Sequence, residues 1–202
     1  MPRRAQRGFS MIEALIAFAI LSFGIMGVVT LLASSKASQF ETVQRTRAVT
    51  LANALVERIR INPSAVASYH TGLDNPISVD TDKVADVEPN PTCDMGSVCT
   101  PAQLAVHDMW EWREEFRGAT ARITDSNEAI GGLLEPQSCV VFVADAGRTS
   151  TGQLTILVSW RGLVEVRDAL SAVGECGDFD DDLLKFRRQV VVQTYIVDET
   201  EL

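Results

Sequence analysis

Hydrophobic positions run without a charge from Ala14 to Ser35, recur at spacings near 3.6 from Phe40 to Ile59, and alternate in the C-terminal part of the chain. The first pattern, rich in Leu, Ile, Ala, Phe and Val, is long enough for the roughly 20 residues a helix needs to cross about 30 Å of hydrocarbon. In the second, Phe40, Val43, Ala48, Leu51, Leu55 and Ile59 alternate with Gln44, Arg45, Arg47, Glu57, Arg58 and Arg60. That stripe predicts an amphipathic helix continuing the apolar one to about Ile61. Asn62-Pro63 ends it, because proline disfavours helical backbone in the residue before it. Gly24 and Gly27 are its weak points, each costing about 1 kcal/mol relative to alanine.

From Ser64 to Thr100 the composition shifts to Asn, Asp, Pro, Ser and Thr with little periodicity, which predicts a long surface connection. Thr100-Pro101-Ala102-Gln103 is a capping box with proline at the first helical position. Ala105, Met109, Trp112 and Phe116 form a stripe before Gly118, so a second, short helix is expected, with Trp110 at the flank of its core face. Beyond it, Ala119 to Thr124, Cys139 to Ala144, Leu154 to Trp160 and Val190 to Val197 are rich in β-branched residues and bounded by turn signals such as Ala146-Gly147 and Thr151-Gly152. Leu154, Ile156, Val158 and Trp160 fall on one face. A sheet with one apolar face needs a cover, and the amphipathic half of the long helix supplies it. The expected class is α+β: a long N-terminal helix packed on a roughly four-stranded antiparallel sheet.

Charge changes the reading of the apolar run. Arg3, Arg4 and Arg7 precede it, stop at Gly8, and orient the N-terminus to the cytoplasm. Glu13 sits at its edge, where an acid within a membrane span costs up to roughly 2.5–3.5 kcal/mol and so implies a partner. The small residue Gly8 at that border offers a cleavage point on the cytoplasmic side, and an α-amine then created at Phe9 would be such a partner, a cation in a low-dielectric setting. Phe9 and Glu13 are also four apart, on one helix face.

Gly8-Phe9-Ser10-Met11-Ile12-Glu13 resembles the prepilin signature of type IV pilins and pseudopilins. Ile20 to Gly27 and Arg60-Ile61-Asn62-Pro63 further resemble minor pilins of the PilV kind. The resemblance implies a type IV pilin-like fold, cleavage between Gly8 and Phe9 by a prepilin peptidase, and N-methylation of Phe9. It further implies that Glu13 neutralises the terminal amine of a neighbouring subunit during filament assembly. The implied partners are other minor pilins, the major pilin and the inner-membrane assembly platform, with roles in pilus priming, twitching motility and surface attachment. The implied division is a leader over 1–8, a membrane and filament-core helix over 9–35, its amphipathic continuation over 36–61, and a periplasmic α+β head over 62–202. The protein is then a single-pass inner-membrane protein before it enters the pilus.

The chain has 202 residues and a formal net charge of -9, with basic residues in excess up to Arg60 and acids beyond. An acidic head without a Lys/Arg cluster offers no phosphate footprint, so no nucleic acid is expected. Four cysteines in a translocated domain favour disulfides. Of three connectivities, Cys93 with Cys99 and Cys139 with Cys176 is preferred, since one closes a short loop and the other ties the sheet to the loop before the final strand. Zinc is disfavoured by the Cys93–Cys99 spacing and by the presence of only His70 and His107. Asp178, Asp180, Asp181 and Asp182 offer carboxylates for Ca²⁺ but lack the EF-hand glycine and terminal glutamate, so a solvated loop is expected. His107 is expected at the surface or satisfied. No nucleophile elbow, metal-binding histidine pair or phosphate loop is present, so neither enzymatic activity nor a cofactor or metal is expected.

Three rivals remain. A type II secretion pseudopilin shares the N-terminal signature. A membrane-tethered periplasmic enzyme could carry the same apolar run. A removable secretory signal, cut near Ala33 to Ala37, is opposed by an apolar stretch longer than the usual h-region of about 7–15 residues.

Overall fold

The computed structural model describes residues 10–78, 87–93, 98–118, 132–166, 174–177 and 181–202. The chain divides into two compact units, Met1–Glu41 and Thr42–Leu202, and helix α1 (Met11–Ile61) runs through the boundary. In the first unit nearly every described residue is exposed, including Leu15, Phe18, Leu21 and Phe23. The helix is unbroken through Gly24 and Gly27. Its hydroxyls turn inward on their own backbone: Ser22 Oγ donates to the Phe18 carbonyl at 2.8 Å and Thr30 Oγ1 to the Met26 carbonyl at 2.9 Å. Such back-bonding satisfies a hydroxyl where no water can.

The second unit begins with the amphipathic part of α1, which buries Gln44, Ala48, Leu51, Ala52, Leu55, Val56 and Ile59. The helix ends at Ile61, before Pro63. The chain then tightens into a 3₁₀ turn (Pro63–Ala65) and the short helix α2 (Val66–Tyr69), burying Ala65, Val66 and Tyr69. The start of the expected surface connection is therefore core. Its apolar residues are too few for a periodic signal, and a single turn of helix needs none.

Helix α3 (Pro101–Arg117) starts at the Thr100 capping box, where Thr100 Oγ1 accepts from Gln103 N and Gln103 Oε1 from Thr100 N. It stops at Gly118, whose φ of 74° is the left-handed conformation that favours glycine at a helix end. Ala105, Trp112 and Phe116 are buried and Met109 packs against the same core. Trp110 is half-buried beside His107, with ring centroids 5.6 Å apart.

The sheet is antiparallel in the order β1 (Ile77–Ser78), β2 (Gln137–Ala144), β3 (Gly152–Arg161), β4 (Arg187–Ile196). Register is set by Val140 opposite Ile156 and Ile156 opposite Val192. Gly152 faces Ala144 at the tight end of the β2–β3 hairpin, where a Cβ would lie 2.2 Å from the Val143 carbonyl oxygen. The fourth strand of the described sheet is the two-residue β1; the strand expected over Ala119 to Thr124 lies outside the described residues.

Leu154, Ile156, Val158 and Trp160 are buried in the core shared with α1 and α3, as their common face requires. Thr155, Leu157 and Ser159 on the other face are buried too. The reason is a second cluster of Cys139, Leu157 and Cys176, with Leu73, Val141 and Val191 against it. The structure pairs Cys139 with Cys176 and Cys93 with Cys99. The first of these fastens the segment before β4 onto the outer sheet face, and Ser159 Oγ donates to the Cys176 carbonyl at 2.9 Å.

Candidate functional site: an exposed N-terminal helix and its anchorage in the head

Two features define the candidate site: what the apolar part of α1 presents, and how its C-terminal part is fixed. Glu13 lies in the first turn of α1 and is exposed. An acid there is favoured by the helix dipole. Its amide and that of Ala14 donate to the Ser10 carbonyl at 3.0 and 3.2 Å, so the helix is wound from Ser10 onward. Among the described residues its carboxylate has no side-chain partner. Gly8 and Phe9 lie outside the described residues. Among the described residues one helix is long and apolar enough to cross a membrane, and none of its apolar window is buried.

Anchorage in the second unit is polar as well as apolar. Trp112, fully buried, donates its indole N–H to the Leu51 carbonyl of α1 at 2.8 Å and stacks edge-on with Phe116, ring centroids 4.7 Å apart. Arg58 reaches from α1 to Glu111 and Glu115 of α3, both at 2.7 Å. Burial raises the Glu115 carboxyl above the usual range, against the pull of Arg58 and with a further push from Glu111. Asn62, just past the helix, donates to the Tyr69 hydroxyl at 3.1 Å and to the Pro101 carbonyl at 2.8 Å. Tyr69 in turn donates to Asp108. Burial, then this bond, pushes the Tyr69 phenol far up, which keeps it a donor at any physiological pH.

Asn62-Pro63 thus does more than stop a helix. The asparagine side chain ties the end of α1 to α2 and to the start of α3, and a sequence signal for helix termination contains no hint of that.

His107, expected either at the surface or satisfied, is not at the surface. It is buried, and its Nε2 lies 3.6 Å from Glu88 Oε1. Ligand atoms of His107, Asp108 and Glu111 converge within 4.8 Å of one another. Asp178 and Asp180 lie outside the described residues; Asp181 and Asp182 open a 3₁₀ turn (Asp181–Phe186), and Asp182 is exposed. A groove of about 550 Å³ runs between the β1 region and α3, lined by Asn75, Ile77, Pro89, Val106, Trp110 and Arg113 among others.

A long helix, apolar and unburied at its start and packed by its C-terminal part on a four-stranded antiparallel sheet, defines the α+β architecture of type IV pilins. The comparisons agree. The Tt1218-like family model, type IV pilin Tt1218, matches residues 32–110, and the prokaryotic N-terminal methylation motif matches residues 3–29. These matches support a type IV prepilin-like protein and point to a structural pilus subunit rather than an enzyme. The motif implies processing by a prepilin peptidase and assembly in a membrane context. The apolar helix fits a single-pass inner-membrane protein found in pili. No curated protein and no solved structure matches the chain.

Proposed function

We propose that this chain is a minor type IV pilin of the PilV kind, which primes or joins pilus assembly together with other minor pilins, the major pilin and the inner-membrane assembly platform. On this reading residues 1–8 are a leader, prepilin peptidase cuts between Gly8 and Phe9, and Phe9 is N-methylated. Residues 9–35 then span the membrane and later the filament core, 36–61 continue the helix, and 62–202 form a periplasmic head. Glu13 accepts the terminal amine of a neighbouring subunit as the helix leaves lipid for a bundle of similar helices.

The observation that carries the reading is the exposed Glu13 in the first turn of an unburied apolar helix, inside the methylation-motif match. An acid and an apolar surface of that size, neither covered by the described chain, call for partners from other chains. The disulfides fit an oxidising compartment for the head.

Mass spectrometry of the mature protein from membrane or sheared-pilus fractions tests the processing step. A chain starting at methylated Phe9 is expected; a start near Lys36 or Ser38, or an uncut Met1, overturns it. Deletion of the gene separates the systems: lost twitching with secretion intact is expected, and lost secretion with twitching intact assigns the chain to a type II secretion pseudopilin instead. Hydrolytic activity of the purified protein that disappears in His107→Ala would revive the tethered enzyme.

A further inference from the structure

The cluster around His107 has no part in the assembly mechanism. His107 and Glu111 are one helical turn apart on α3 and face the same way. Asp108 is buried beside them, and Glu88 arrives from the segment preceding α3. The His107 imidazole is buried, with a relative exposure of 8%, and no hydrogen bond to its ring is found among the described residues. Its polar neighbour is Glu88 Oε1, at 3.6 Å, beyond hydrogen-bonding reach. A neutral imidazole keeps one ring nitrogen able to ligate an ion.

The carboxylates are incompletely used. Tyr69 occupies Asp108 Oδ2 and Arg58 occupies Glu111 Oε2 at 2.7 Å. Each group keeps a second oxygen with capacity to bind. Charge points the same way: among the described ion pairs, Arg58 is the cation facing Glu111 and Glu115, while Glu88 and Asp108 add further negative charge. A divalent ion between them would offset this excess at short range.

We propose that His107, Asp108 and Glu111, with Glu88, form a binding site for one divalent transition-metal ion of the Zn²⁺ class. The donor set of one imidazole nitrogen and several carboxylate oxygens suits Zn²⁺ or its first-row neighbours, whereas Ca²⁺ takes six to eight oxygens and no imidazole. The ligand atoms, within 4.8 Å of one another, need to close only modestly to share an ion. Binding ties the segment carrying Glu88 to α3, close to the Tyr69–Asp108–Arg58 network that fixes the end of α1. The ion is therefore a staple of the head rather than a reagent.

The test uses the full-length protein in detergent, stripped with a chelator and then titrated with Zn²⁺ against a chromophoric competitor. One Zn²⁺ per chain is expected, with Co²⁺ substitution giving a visible absorption band from mixed nitrogen and oxygen ligands. Affinity should fall at least about tenfold in His107→Ala and in Glu88→Gln or Glu111→Gln. It should be unchanged in His70→Ala, because His70 Nδ1 already accepts the Phe142 amide at 3.0 Å. Excess Ca²⁺ should not displace the ion. If His107→Ala fails to fold, the two glutamate variants decide, since their side chains are exposed at 44% and 50%. Absence of saturable Zn²⁺ binding, or binding that survives both glutamate variants undiminished, overturns the site and leaves His107 as an ion-pair partner of Glu88 alone.

Discussion

The two parts of α1 are made of similar residues and live in different solvents. Leu15, Phe18 and Leu21 are 67%, 68% and 57% exposed, whereas Ala48, Leu55 and Ile59 are fully buried. Leucine content does not separate them. What does is the interleaving of charge: residues 14–35 have none, so no face is reserved for water, while Arg45, Arg47, Glu57 and Arg60 assign one face of the later turns to solvent. An apolar helix without a polar face has no preferred side to bury, and its apolar surface must be covered by lipid or by other chains. An amphipathic helix carries its docking instruction with it.

Breaking the head's covalent link should give the largest effect. Cys139→Ser with Cys176→Ser removes a bridge spanning 37 residues and should cost about 4 kcal/mol in the chain-entropy model, against about 2 kcal/mol for Cys93→Ser with Cys99→Ser, which spans 6. Urea unfolding of the full-length protein in detergent gives both numbers. The comparison within α1 is sharpened next by one chemistry at two places. Leu55→Ala should destabilise the head by about 3 kcal/mol, because it empties a fully buried site, while Leu21→Ala should change the same transition by less than about 0.5 kcal/mol. Equal effects would mean that the first unit is packed in solution and would undo the contrast.

Thr100→Ala removes the α3 cap and should cost about 1 kcal/mol. Glu201 supplies a pH-dependent effect. Its carboxylate accepts from the Thr149 hydroxyl at 2.7 Å, the Thr149 amide at 2.8 Å and the Ser150 amide at 2.9 Å. These bonds, the Thr149 hydroxyl first, hold its pKa down at about 2. A folded-state pKa below the unfolded value of 4.5 contributes stability above that value and loses it as pH falls toward 2. The melting temperature should therefore drop over that window, and Glu201→Gln should flatten the drop. Glu13→Gln is expected to leave the head's melting unchanged altogether, while incorporation into pili is lost.

Much of this organisation is legible in the chain. The end of α1 follows from Pro63, the start of α3 from Thr100 and Gln103, and the register face of β3 from Leu154, Ile156, Val158 and Trp160. What is not legible lies in contacts between distant segments. β1 has two residues and borrows its strand identity from Ser138 and Gln137 opposite. The burial of Leu157 depends on Cys176 folding back across the sheet. The same limit hid the histidine cluster. His107 and Glu111 have a spacing that could have been noticed, but Glu88 and the buried surroundings come from tertiary packing. Asn62 looks like a helix breaker and is in fact a three-way tie among α1, α2 and α3.

All three tryptophans, Trp110, Trp112 and Trp160, lie in the second unit. Two of them, Trp112 and Trp160, are almost wholly shielded from water, at 0% and 2% exposure. Intrinsic fluorescence of the intact protein is therefore an optical gauge of the head alone, and its emission should be blue-shifted and hard to quench with added iodide. Whatever the leading turns of α1 do, in a micelle or among neighbouring subunits, they do without an indole of their own, so a single tryptophan placed at Phe23 would give them an independent signal.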